Sequence, residues 1–169
     1  PVLHEGATSR EVLLPPGEWF AWGSSMLHAG DQRFSAPVTL ESVPLYVRAG
    51  TILPLAAVAQ STDGMTEHPL TLHIYLTPNN PTVTADMWLD DDHSLAEERG
   101  AFGVWRAGTA WQGNDLMVTL EGDSGQLAWP YPGCSIALHL PGGWTATSLD
   151  SADDLRGDTF TVRYHVTRG

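Results

Sequence analysis

Three consecutive carboxylates, Asp90-Asp91-Asp92, are the first residues in this sequence whose type suggests chemistry. Clustered carboxylates bind cations, and paired ones cleave glycosidic bonds. Their spacing argues against both. Neighbours on a strand point to opposite faces, whereas a retaining pair needs two carboxylates about 5–5.5 Å apart across one cleft. A calcium loop wants alternate acidic positions, a central Gly and a distal Glu, and that pattern is missing. The run reads as a solvated turn ending a strand.

Gly122-Asp123-Ser124-Gly125 has the string that surrounds the nucleophile of trypsin-like proteases, but no His or Asp segment completes a triad. It lies between the alternating run 116–121 and Leu127, where a hairpin needs turn residues. Glycine-rich phosphate loops, dinucleotide fingerprints and the Gly-x-Ser-x-Gly elbow are also missing. Seven histidines (4, 28, 68, 73, 93, 139 and 165) are scattered over strands and loops without a helical His-x-x-x-His pair, so no metal site is expected. Cys134 is the single cysteine and reads as a small apolar filler.

Tryptophan is the stronger argument for binding. The chain has seven, at positions 19, 22, 88, 105, 111, 129 and 144, and an indole face stacks on a sugar ring. Trp111 and Trp129 flank turns and are the candidate sugar platforms. Trp88 falls on the polar phase of its strand and is placed to face a neighbouring domain. Trp19 and Trp22 are expected to pack.

The elements that carry these residues are strands. Leu70, Leu72, Ile74 and Leu76 alternate with polar neighbours, as do Val83/Ala85/Met87/Leu89, Leu116/Val118/Leu120, Ile136/Leu138/Leu140 and Phe160/Val162/Tyr164/Val166. That is the pattern of sheets buried on one face. Helical periodicity does not recur, and one short turn over Ser94–Arg99, ended by Gly100, is the only helix expected. Stacked sheets are the economical way to bury these faces. The sequence therefore predicts an all-β protein of two consecutive antiparallel β-sandwich domains, residues 1–65 and 66–169. The boundary is drawn where patterning lapses between Ala59 and Pro69.

Twenty acidic residues against eight arginines and no lysine give a net charge of −12, which excludes nucleic acid and anionic membrane surfaces as partners. The chain begins at Pro1, without an initiator Met, a signal peptide or an 18-residue apolar run. The expectation is a piece of a longer protein, with cytoplasm favoured over secretion.

Val43-Pro44-Leu45-Tyr46-Val47-Arg48-Ala49-Gly50-Thr51-Ile52-Leu53-Pro54-Leu55 reads as strand, tight turn, strand. With Gly6 to Arg10, Leu14 to Phe20 and the Gly17-Glu18-Trp19-Phe20-Ala21-Trp22 segment, it resembles the region after the catalytic barrel in glycoside hydrolase family 31, the α-glucosidase and α-xylosidase family. Trp88-Leu89-Asp90-Asp91-Asp92-His93-Ser94 is similar to that family's aromatic-x-Asp-Asp-Gly-x-Ser turn, with Asp92 in place of Gly and Glu97 where an aromatic is common. Gly100-Ala101-Phe102 follows as its Gly-x-aromatic. A (β/α)8 barrel needs roughly 250 residues, and the segments around the family's catalytic aspartates do not occur among these 169.

The resemblance thus implies the proximal and distal C-terminal sandwiches without catalytic residues, metal or cofactor. It implies a non-catalytic accessory role, with the parent's barrel as partner and α-linked glycans as a second open partner. A free-standing carbohydrate-binding β-sandwich is the alternative.

Overall fold

The computed structural model describes residues 4–41, 43–90, 94–95, 97–123, 127–150 and 159–168. The described chain is all β, in four sheets. The first half holds β1 (Ser9–Leu13), β2 (Glu18–Ala21), β3 (Leu27–Ala29), β4 (Arg33–Pro37), β5 (Tyr46–Arg48) and β6 (Thr51–Leu55). The second holds β7 (Leu70–Tyr75), β8 (Thr84–Leu89), β9 (Gly103–Gln112), β10 (Asp115–Asp123), β11 (Cys134–His139), β12 (Trp144–Ser148) and β13 (Thr159–Arg168). Short 3-10 turns occupy Thr62–Glu67 and Glu97–Arg99. The second falls within the expected helical turn, and Gly100 ends it at φ 88°.

The larger core lies between a five-stranded sheet ordered β12-β13-β10-β9-β8 and a three-stranded sheet ordered β11-β7-β6. Leu70, Leu72, Ile74 and Leu76 are all buried and meet Met87, Trp105, Leu116, Val118, Leu120, Val162 and Val166 in one cluster. Alternation alone identifies these faces. β9 and β10 join through a two-residue loop, Gly113–Asn114, with Gly113 at φ 65° as a primed hairpin turn with glycine first requires.

One pairing departs from the antiparallel rule. β7 and β11 run parallel, with His73 opposite Ala137 and Tyr75 opposite His139. The chain between them crosses to the other sheet and builds β8 to β10 there, which supplies the long connection that parallel neighbours need. Cys134 begins β11, buried at 4% exposure, and burial pushes its thiol up to about 12. It is inert packing at neutral pH.

The first half forms two small sheets, β1-β4 and β3-β2-β5. β5 and β6, read together in the sequence, are not hairpin partners: β5 pairs with β2 and β6 with β7. The Ala49–Gly50 step carries the chain from one sheet to the other. Its two amides are tied to both, Ala49 N–H donating to the Glu18 carbonyl at 2.8 Å and Gly50 N–H to the Tyr75 carbonyl at 2.8 Å. Gly50 sits at φ 77°, in the left-handed region that favours glycine. The strand-turn-strand motif is therefore a sheet-switching step, and β6 lies in the same sheet as β7 beyond the 59–69 segment.

Candidate functional site

Trp111 and Trp129 are both half-buried. The Trp111 indole N–H donates to the Pro81 carbonyl at 2.6 Å, and Trp144 meets the ring edge-on. The Arg168 guanidinium lies 5.0 Å from the Trp111 ring centre and 4.5 Å from that of Trp144. Trp129 packs against Trp105 and Tyr131, with its N–H on the Gly133 carbonyl at 3.4 Å. Trp88, by contrast, is 69% exposed. Asp90 is exposed, while Asp91, Asp92 and His93 lie outside the described residues, as do Ser124 and Gly125. Gly122 and Asp123 end β10. Among the described residues no three His, Cys, Asp or Glu side chains converge on a possible metal position. No helix there is long and apolar enough to cross a membrane.

The residues that stand out instead are apolar and belong to the first half. Met26 (59%), Val43 (78%), Leu45 (51%) and Trp22 (40%) are exposed around an open hollow of about 430 Å3 floored by Phe34 and Tyr46. His28 stacks on Phe34 at 4.5 Å, and Tyr46 meets both rings edge-on, so the floor is a fixed aromatic triad.

A polar node fastens this half to the rest. The Glu18 carboxylate on β2 accepts from Thr77 Oγ1 at 2.5 Å, Asn79 Nδ2 at 2.9 Å and Asn80 Nδ2 at 3.3 Å. Thr77 is fully buried, so its hydroxyl needs that partner. Beside the node Phe20 packs on Tyr75, with ring centres 5.5 Å apart. Tyr75 stacks on His139 at 4.1 Å and Trp22 on His73 at 5.9 Å.

His73 Nδ1 and His139 Nε2 are 2.8 Å apart, one ring nitrogen donating to the other. Sequence reasoning left the two histidines scattered, because 66 residues separate them and only the parallel register of β7 and β11 brings them together. Burial lowers both pKa values from 6.5, and for His139 the neighbouring His73 adds to the shift. The folded state therefore resists protonation more than the unfolded one. Stability from this pair is fully present above pH 6.5 and declines as pH falls from there through the depressed folded values. Chemical denaturation at intervals from pH 7.5 to 5 checks this: His139→Gln is expected to flatten the decline, and an unchanged slope would remove the pair as its cause.

Residues 1–53 match the glycosyl hydrolase family 31 C-terminal domain. Neutral alpha-glucosidase AB of Mus musculus is 39% identical over 134 residues, covering 77% of this chain and 14% of its own length. The chain thus spans about a seventh of that relative. In structure it is similar to a GH31 dextranase from Flavobacterium johnsoniae (TM-score 0.77, 18% identity, 98% of this chain and 24% of that one). It is also similar to the GH31 alpha-xylosidase from Xanthomonas citri (TM-score 0.70, 24% identity, 100% of this chain and 18% of that one).

Proposed function

Because the chain belongs to glycosyl hydrolase family 31, as C-terminal β-sandwich of its α-glucosidase type, we propose that it is a non-catalytic accessory region that braces the (β/α)8 barrel of a parent α-glucosidase. The observation that carries this reading is the open apolar hollow of Trp22, Met26, Val43 and Leu45 over the Phe34–Tyr46 floor. It lies within the segment that matches the family's C-terminal domain. A barrel docked there would cover surface that otherwise faces water. Fastened through Glu18 and Phe20, the second sandwich would then stiffen the docked half. We also propose that residues 1–65 and 66–169 act as two units.

A chimera tests the docking. The corresponding region of mouse neutral alpha-glucosidase AB is replaced by this chain, and soluble yield and α-glucosidase activity are measured. The chimera is expected to be soluble and active. Val43→Asp with Leu45→Asp is expected to reduce yield or activity at least about tenfold, since an unpaired charge buried in an interface costs about 3 kcal/mol or more. Full activity in that double variant would sink the docking reading, and α-glucosidase turnover by the 169-residue chain alone would sink the non-catalytic one. The alternative, a free-standing carbohydrate-binding protein using Trp111 and Trp129, has less support, because both indoles are half-buried with engaged N–H groups.

A further inference from the structure

Trp88 sits on β8, the edge strand of the five-stranded sheet. Strand phase turns Asp86 and Trp88 outward, while Met87 between them is buried in the core. The exposed indole is propped by Phe102, with ring centres 5.2 Å apart and planes tilted by 35°. One step along the same face, Arg106 Nε and Nη2 donate to Asp86 Oδ1 and Oδ2 at 2.6 and 3.0 Å. Both members of this fork remain open to water, at 65% and 41% side-chain exposure. Beside them, where the edges of β6 and β8 face each other, lies a hollow of about 380 Å3 that Asp86, Trp88, Pro54 and Tyr131 help to line.

We propose that Trp88 and the Asp86–Arg106 fork form a binding subsite for a neutral oligosaccharide. A pyranose ring has an apolar C–H face that covers an indole, and hydroxyls at its rim that both donate and accept. The fork suits such a rim. Each carboxylate oxygen of Asp86 has a further lone pair for a hydroxyl proton. Because Arg106 lies against Asp86, the fork presents hydrogen-bonding groups with no net charge, and the chain's charge of −12 disfavours anionic ligands. A protein-docking face would extend the apolar surface, but the strand position beside Trp88 on this face is Asp86, and Thr84 beyond it is exposed and polar. The adjoining hollow lies in the size range of small-ligand sites, roughly 300–1,000 Å3. This proposal is independent of barrel docking, which uses the opposite half of the chain.

The test is a titration of the complete 169-residue chain with maltotetraose and, separately, isomaltotetraose, followed by the indole N–H resonances of the seven tryptophans. Saturable shifts centred on the Trp88 signal are expected for at least one of the two. Trp88→Ala is expected to weaken that binding about tenfold, the scale of one lost ring contact. Asp86→Asn, which keeps the side chain's shape, is expected to weaken it less, and Trp111→Ala and Trp129→Ala are expected to leave it intact. No saturable shift with either sugar would overturn the proposal. So would binding that survives Trp88→Ala and is lost on Trp111→Ala or Trp129→Ala. The wild-type shift map decides the matter even if a variant folds poorly, and none of these outcomes bears on the chimera.

Discussion

Trp105→Ala is expected to destabilise the second sandwich by about 3–5 kcal/mol, the usual cost of truncating a buried tryptophan. Trp105 is 2% exposed at the centre of the larger core, between Trp129 and the β7 face. Across the β9–β10 ladder it stands opposite Gly122. A Cβ at Gly122 would lie 2.8 Å from the indole ring, so the hairpin gives this one side chain the room of two. Neighbours closing on the cavity would have to move the rigid β9–β10 hairpin, and the expected loss therefore lies in the upper part of the range. In a melt this is a fall of at least about 15 °C.

The indole Nε1 is buried and finds no acceptor among the described residues. An unmet donor is a cost in the native state. Trp105→Phe removes that cost along with part of the volume and is expected to lose only about 1–3 kcal/mol. Urea denaturation of both variants checks the order. A Phe variant no more stable than the Ala variant would overturn it. Since Met87 is registered opposite Trp105, the Ala variant is also expected to loosen β8 and weaken sugar binding at Trp88 without touching that site.

The core was legible because strands with one wet face write their burial as a period of two. Leu70 to Leu76 and Leu116 to Leu120 follow it, buried on the expected phase, and in β13 Val162 and Val166 are buried with Tyr164 half-buried between them. Tyr75 breaks the pattern: it lies on the polar phase of β7 yet is 1% exposed. The first half of the chain covers the outer face of β7 there, through Phe20, and no pattern internal to one strand announces a second covering layer. The pairing of His73 with His139 is invisible for a related reason, since it depends on register between distant strands. Trp88 was readable as outward-facing from phase alone. Proximity to turns suggested exposure for Trp111 and Trp129, but turn backbone also offers free carbonyls, and each indole N–H reaches one. The hollow could not be read, because its residues come from both small sheets and from the segment between them.

Gly30→Ala is expected to be the most disruptive single-methyl change in the first half. A Cβ there would lie 1.9 Å from the Pro15 carbonyl oxygen, 2.8 Å from its carbon and 3.0 Å from the Gly17 nitrogen. These are backbone atoms, and they cannot swing aside as a side chain can. Two hydrogen bonds hold the crossing shut, Gly30 N–H to the Gly17 carbonyl at 2.7 Å and Asp31 N–H to the Leu14 carbonyl at 2.9 Å. Pro15 and Pro16 stiffen the connection that would have to retreat. Relief needs both bonds broken, so the cost should exceed the usual overpacking penalty of about 1–3 kcal/mol. The loss falls on the β1-to-β2 and β3-to-β4 connections, which set the two small sheets around Phe34 and Tyr46. The docking hollow should therefore fail first.

What happens to the second sandwich then tests the proposed division at 65/66. Two units predict an early transition for the small sheets and a later one close to the wild-type temperature. The opposing pull is real: β6 is zipped to β7 over five residue pairs, and Glu18 and Phe20 grip Thr77 and Tyr75. Among the described residues the larger core nevertheless draws only Ile52 and Ala56 from before the 59–69 segment, against fourteen buried and ten half-buried side chains from after it. That imbalance lets the second sandwich outlast the first. A calorimetric trace of Gly30→Ala with two resolved transitions is the expected result, and a single early transition would make the chain one cooperative unit.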